Sequence, residues 1–390
     1  MGGPVTRLGL VAVVVSTAVS LALAIGRQGT ASACGSLRPF DFDTYEAQDY
    51  VNAYGTAIQL AAEGKAVTIA YNIDGAPDGQ VDVRYQGLAS GPRTARLPAN
   101  AALRIPPTIY KSIAWIEANW SNGASSVPYG GVGPVLRSFD CGYGLGQVTS
   151  GMEDNSGAAT AQQAVIGTDY LFNLAQGVRI LADKWNSAPQ YRPIAGTGDP
   201  SALEDWYFAI WSYNGFAFSN HPLNPSLPAL RGGSGSSPIY HCYDPSAPSY
   251  QATSSGGPSY GYGDYTYQER VYGCTRYPPY PSSPANTSQR MWQAQTFNMP
   301  NFAIPAIAAA FAPSVFTACD EQGFAGGCPL MDYPTTIPAL QIVTHQDSTP
   351  PIDPTLAYAI LGNPRSRSAA RRVRPSTSAK TERLRTFPSR

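Results

Sequence analysis

At 390 residues, 43% of them hydrophobic, the chain holds enough apolar material for one large or two ordinary domains, which excludes a small disulfide-stapled scaffold. Only 13% of residues are charged, about half the share of roughly 25% in ordinary globular proteins, while 38 Gly, 35 Pro and 24 Tyr predict an uncharged polar surface and much loop. The formal net charge of +0 hides nine Lys or Arg in residues 365–390; residues 34–364 hold 15 basic against 25 acidic residues, an excess that argues against a nucleic-acid groove.

The chain opens with Arg7, an apolar run from Leu8 to Ile25, and Ala31-Ser32-Ala33, the three regions of a secretory signal over residues 1–33. Export is expected, with a cut after Ala33 or, by the Ala22-Leu23-Ala24 pattern, after Ala24. The rival is an uncleaved membrane anchor, because the 18-residue run is just long enough to span a bilayer. Cys34 follows Ala33 directly, but the residues before it are polar and do not form a lipobox. Six cysteines (34, 141, 242, 274, 319 and 328) in an exported chain read as up to three disulfides rather than a metal site. Cys242 with Cys274 and Cys319 with Cys328 are the short-loop pairings.

Asp43 and Glu46 have capping-box spacing before an amphipathic stretch with Val51, Tyr54 and Ile58 that closes at Gly64, which predicts a first helix. Alternation at Val67, Ile69, Tyr71 and Ile73, and again at Val81, Val83 and Tyr85 beyond the turn at 74–79, predicts a hairpin. From Thr108 the period becomes helical: Ile109, Ile113, Ile116 and Trp120 share a stripe entered through Pro106-Pro107. Residues 121–142 read as loop. The strongest helical pattern covers 161–186, with Leu171, Leu174, Val178, Leu181 and Trp185 in register. A further helix is expected from about Ser201 to Tyr213, stopped by Asn214-Gly215. Residues 217–263 are poor in aliphatics and rich in Pro, Gly, Ser and Tyr, a long insertion. A short helical piece near Tyr265–Tyr272 precedes Cys274; 290–312 and 354–361 are apolar enough to pack, and the basic tail 364–390 should be disordered.

Glu117 lies one position off the apolar stripe of its helix, where a partly dry setting would raise a carboxyl pKa and suit a proton donor. Spacing alone also fits a solvated Glu on a surface helix. Its company is more telling. The run Ile113-Ala114-Trp115-Ile116-Glu117-Ala118-Asn119-Trp120, then Gly142-Tyr143-Gly144-Leu145-Gly146-Gln147-Val148, then Ala209-Ile210-Trp211-Ser212-Tyr213-Asn214-Gly215 resembles, in order, the sequence blocks of the soluble lytic transglycosylase and goose-type lysozyme family. Tyr267-Gln268-Glu269-Arg270-Val271 is similar to that family's closing helix. The resemblance covers about residues 101–275; Ala118 replaces the usual Ser, Gly146 replaces Met, and the segment between Glu117 and Gly144 is longer than usual.

The resemblance implies a lysozyme-like catalytic domain at 101–275; with the helix-plus-hairpin segment read at 34–100 and an irregular disulfide-containing region at 276–363, the fold expected is mainly α. The resemblance also implies Glu117 as the single acid/base acting on the β-1,4 bond between N-acetylmuramic acid and N-acetylglucosamine in peptidoglycan, without metal or cofactor. Gln147, Tyr213 and Asn214 match glycan-contacting positions; Gly144 and Gly146 would let the backbone approach the sugar, and Tyr143 would face the cleft or pack inside. Trp120 and Trp211 read as core. Asp140, Glu153 and Asp154 are candidates for a second carboxylate, Asp140 being equally suited to capping a turn beside Cys141. Goose-type lysozymes carry an Asp two residues after the Gln, where this chain has Thr149, which favours a 1,6-anhydro product over hydrolysis. A noncatalytic glycan-binding wall protein with the same fold is the reading from a different class. The partners expected are peptidoglycan strands, with no nucleic acid and no second copy of the chain, and the Arg-rich tail is a contact for anionic wall polymer or lipid.

Overall fold

The computed structural model describes residues 43–45, 51–66, 69–71, 79–81, 83–92, 95–127, 131–138, 141–152, 160–187, 195–227, 242, 262–280, 289–300 and 344–361. The expected signal, the Tyr-rich part of the insertion, Cys319 and Cys328, and the basic tail lie outside them. Helices dominate: α1 (Val51–Ala62), α2 (Pro107–Ala118), α3 (Ala161–Thr168), α4 (Tyr170–Asn186), α5 (Tyr207–Tyr213), α6 (Tyr267–Arg276) and α7 (Pro354–Leu361). Among the described residues six short strands form three antiparallel pairs: β1 (Asp43–Tyr45) with β6 (Val132–Pro134), β2 (Ile69–Tyr71) with β3 (Gly79–Val81), and β4 (Leu88–Ser90) with β5 (Leu97–Asn100).

The first helix runs over Val51–Ala62, and Asp43, expected near its start, pairs with Pro134 across β1–β6; Glu46 lies outside the described residues. The end of the helix is as expected. Gly64 takes a φ of +67°, the Gly64 N–H bonds Ala61 O at 3.0 Å and the Lys65 N–H bonds Leu60 O at 2.8 Å, the paired closure of a Schellman motif. The expected hairpin is present as β2–β3 with Ile69 opposite Val81, but it is shorter than the alternation suggests: Val83 and Tyr85 have left the strand and are buried in the core.

Pro107 occupies the first turn of α2, where its missing N–H has no partner to lose. The cap comes from far along the chain: Asp347 Oδ2 accepts the Thr108 N–H at 2.8 Å and the Thr108 hydroxyl at 2.6 Å. The pattern over 161–186 resolves into two helices, because Asp169 is extended (φ −106°, ψ 111°), ending α3 and capping α4 by accepting from the N–H groups of Leu171 and Phe172. Hydrophobic periodicity continues through that break and does not reveal it. The helix expected at 201–213 opens with a 3-10 turn at Glu204–Trp206 and stops at Gly215, φ +71°. α6 carries a complete capping box between Thr266 and Glu269, and Cys274 within it is disulfide-bonded to Cys242, one of the two short-loop pairings.

One buried cluster runs from Ala53 to Leu361 and takes in residues of all seven described helices. The segments at 34–100 and 276–363 thus share the core of 101–275. The return is made by a polar strap, residues 344–352. Buried Glu204 accepts the N–H groups of Asn298 and His345 at 3.0 Å and pairs with the His345 ring at 2.6 Å. Buried Glu63 accepts the Ile352 N–H at 3.1 Å. These carboxylates are tolerated inside because backbone donors satisfy them.

Candidate active site

Glu117 sits in the last turn of α2 and is half-buried, with Ala118 buried beside it. The Tyr267 hydroxyl, from the first residue of α6, donates to Glu117 Oε1. Tyr267 is 2% exposed, so its ring position is fixed by packing. Its backbone N–H donates to Asn220 Oδ1 at 2.8 Å, and Asn220 Nδ2 donates to Asn214 Oδ1 at 2.7 Å. Asn214, itself exposed, is thereby tied through Asn220 to α6, whose Tyr267 bonds the carboxylate.

Tyr213 joins the other two blocks. Its hydroxyl donates to Gly146 O at 2.7 Å; with that proton committed, the Tyr110 hydroxyl, 3.3 Å away, donates to Tyr213. Tyr110 lies seven residues before Glu117, two turns back on the same face of α2. Burial pushes both phenols up; the charge of Glu117 adds to the rise at each, and the contact with Tyr110 adds to that at Tyr213. The two hydroxyls fit because two side chains are missing. A Cβ on Gly177 of α4 would stand 1.8 Å from Tyr110 Oη and 2.8 Å from Tyr213 Oη, and one on Gly146 would stand 2.7 Å from Tyr110 Oη.

The turn that carries Gln147 is closed by mutual backbone bonds of 3.1 Å between Tyr143 and Val148. Asn173 of α4 grips it from beneath, accepting the Gly146 N–H at 2.7 Å and donating to Tyr143 O at 2.7 Å. Gly144 and Gly146 have a reason inside the protein: a Cβ on Gly144 (φ +66°) would meet Asn122 Oδ1 and Asn173 Nδ2 at 2.7 Å, and one on Gly146 the Tyr110 hydroxyl. Tyr143 takes the inward of its two alternatives: it is 2% exposed, in a second cluster with Val135, Cys141, Val148, Met152, Ala164 and Ile166. Trp120 and Trp211 are buried, as expected of core residues. Gln147 is partly exposed at φ +43°, and its Nε2 donates back to Gly144 O at 2.7 Å. Asp140, Glu153 and Asp154 lie outside the described residues; Thr149 is exposed.

Backbone strain concentrates here. Among the described residues the non-glycine positions with positive φ are Asn119 (48°), Trp120 (54°), Cys141 (70°), Gln147 (43°) and Phe216 (56°). Every one belongs to, or closely flanks, the Glu117, Gln147 or Tyr213 block. Each such conformation costs on the order of 1 kcal/mol or more and persists only where surrounding structure enforces it, a pattern typical of functional sites.

No protein-family model, curated protein or solved structure matches the chain.

The site therefore stands on its own geometry: one chain of hydrogen bonds runs from Glu117 through Tyr267 and Asn220 to Asn214, another from Tyr110 through Tyr213 to Gly146, and the two meet at the Tyr213–Asn214 peptide, with Gln147 on the adjoining turn. Tyr110, Asn173 and Asn220 escaped sequence reasoning, and Tyr267 was noticed only as part of a helix. The available signals were spacings: Tyr110 at i−7 from Glu117, and Asn173 and Gly177 at i, i+4 on one face of α4. Among the described residues no group of three or more His, Cys, Asp or Glu side chains is placed to hold a metal ion, and no helix is long and apolar enough to cross a membrane.

Proposed function

We propose that the chain is a peptidoglycan lytic transglycosylase with a lysozyme-like fold, cleaving the β-1,4 bond between N-acetylmuramic acid and N-acetylglucosamine with Glu117 as its single acid/base. The observation that carries the reading is the buried Tyr267 hydroxyl bonded to Glu117 Oε1, together with the Tyr213 hydroxyl bonded to Gly146 O, which joins the two other sequence blocks.

In this reading Glu117 gives its proton to the glycosidic oxygen as the C1–O bond breaks through an oxocarbenium-like state. The muramoyl 6-hydroxyl then attacks C1 and returns its proton to Glu117, giving a 1,6-anhydro sugar. Tyr267, donating to the carboxylate, stabilises the charge that appears on Glu117 when its proton leaves. Tyr213 and Tyr110 carry hydroxyls pushed well above their ordinary pKa, so they remain neutral donors across the working range. Thr149 in place of an Asp favours the intramolecular nucleophile over an activated water. An exported location, expected from residues 1–33, is where such a substrate lies.

The test is digestion of purified sacculi with mass spectrometry of the released muropeptides. The expected result is anhydromuramic acid ends from the wild type and at least a thousandfold loss in Glu117→Gln with glycan binding kept, in line with the roughly 10²–10⁴-fold worth of general acid–base catalysis at each proton transfer. Reducing ends would make the enzyme a lysozyme. Binding without cleavage by the wild type would make it a glycan-binding protein and refute the proposal.

A further inference from the structure

The residue bearing the closest relation to Gln147 that the functional reading leaves unused is Asn173. It is fully buried in the first turn of α4, its own N–H bonded to Asp169 O at 2.9 Å, so its side chain issues from a rigid and capped helix end. Three contacts leave its amide. Oδ1 takes the Gly146 N–H at 2.7 Å; Nδ2 gives to Tyr143 O at 2.7 Å and to Ile166 O at 3.2 Å. The peptide group on each side of Gly146 is thus held: its N–H by Asn173, its carbonyl by the Tyr213 hydroxyl at 2.7 Å. The next residue is Gln147, in a left-handed conformation (φ +43°) that an unbranched amide side chain does not choose by itself. Gly144 completes the fit, because any Cβ there would occupy the space of the Asn173 amide.

We infer that Asn173 is a positioning residue that holds Gln147 in its strained conformation so that the Gln147 amide meets the glycan; the inference rests on the functional reading above. Asn suits the task because one short, planar side chain offers a donor and an acceptor together, and the turn presents one of each, Tyr143 O and Gly146 N–H. Asp in its place keeps the acceptor for Gly146 but turns a carboxylate oxygen toward two carbonyl oxygens. Ala keeps neither contact. The effect on the reaction passes through Gln147, and Asn173 itself, being buried, touches no substrate.

The experiment uses the full chain with its disulfides intact and a soluble tetrasaccharide of alternating N-acetylglucosamine and N-acetylmuramic acid. Asn173→Asp and Asn173→Ala are each expected to raise KM at least tenfold while kcat falls less than threefold. Asn173→Asp in a Glu117→Gln background is expected to bind the tetrasaccharide at least tenfold more weakly than Glu117→Gln alone. Hydrogen exchange at the Gly146 amide should quicken at least tenfold in Asn173→Ala, and Asn173→Asp serves where the Ala variant fails to fold. A purely structural role would lower the unfolding temperature and leave KM and tetrasaccharide affinity unchanged, and that result overturns the inference. Its failure is separable from that of the functional reading: wild-type cleavage that a folded Asn173→Asp variant matches sinks the inference alone, whereas a wild type that neither binds nor cleaves sinks both.

Discussion

Gly177→Ala sets two physical effects against each other, and the structure decides between them. In an isolated helix Ala is favoured over Gly by about 0.8–1 kcal/mol. In α4 the added Cβ would stand 1.8 Å from Tyr110 Oη, 3.0 Å from Tyr110 Cζ and 2.8 Å from Tyr213 Oη. An ordinary contact begins near 3.4 Å, so the Tyr110 hydroxyl has to withdraw by more than an ångström, yet Tyr110 is 0% exposed and has no open space to enter. Overpacking of this kind costs about 1–3 kcal/mol, and losing the Tyr110–Tyr213 bond or the Tyr213–Gly146 bond adds about 0.5–1.5 kcal/mol each. After subtracting the helix-propensity gain, a net destabilisation of about 1–4 kcal/mol is expected. Urea unfolding of the oxidised protein reads it as a lower midpoint at unchanged slope. The same substitution in a Tyr110→Phe background should cost at least 1 kcal/mol less, because the oxygen at 1.8 Å is gone. Equal or greater stability of Gly177→Ala, or the same cost in both backgrounds, refutes the hydroxyl seat between α2, α4 and the turn.

Three further outcomes follow from the fold. Replacing Cys242 and Cys274 together by Ala opens a loop of 32 residues and should lower stability by about 4 kcal/mol by loop-closure entropy; a loss under 1 kcal/mol in denaturant titration would contradict this. Burial pushes the Tyr85 phenol up to about 12, against the opposing pull of Arg104, so its share of stability is complete below pH 10 and is lost as pH rises from 10 to 12, about 3 kcal/mol in all. Tyr85→Phe should therefore flatten the alkaline decline in unfolding free energy, and an unaltered slope would contradict this. Asp347→Ala removes the cap from α2 and leaves the Thr108 hydroxyl without its acceptor, for a loss of about 1–2 kcal/mol in thermal unfolding, with Asp347→Asn intermediate; no change would mean that the strap does not support the helix carrying Glu117.

The elements read correctly from sequence are those with local causes. Pro106-Pro107 set the entry of α2, Gly64 and Gly215 set helix ends, and three- and four-residue spacing placed α4 and α5. The misreadings share a cause at longer range. Asp43 has the chemistry of a helix cap, but pairing with β6, some ninety residues on, takes it into a strand. Residues 121–142 read as loop because β6 is only three residues long, too short for any alternation to show. At the site, Glu117, Gln147, Tyr213 and Asn214 could be singled out from their blocks, whereas Tyr110 and Asn173 carry only a helical spacing that many core residues share, and nothing in its own neighbourhood marks Asn220.

The sequence alone determined which stretches are helical and which few polar residues merit chemical attention, because helix propensity, caps and apolar period act within a handful of residues. Tertiary structure alone decided that Tyr267 reaches Glu117 across 150 positions, that Asp347 caps a helix 239 positions earlier, and that two glycines admit two hydroxyls. A hydrogen bond acts over about 3 Å of space regardless of the chain between its ends. The residues that meet at that distance are fixed by how the whole core closes, which no local pattern records.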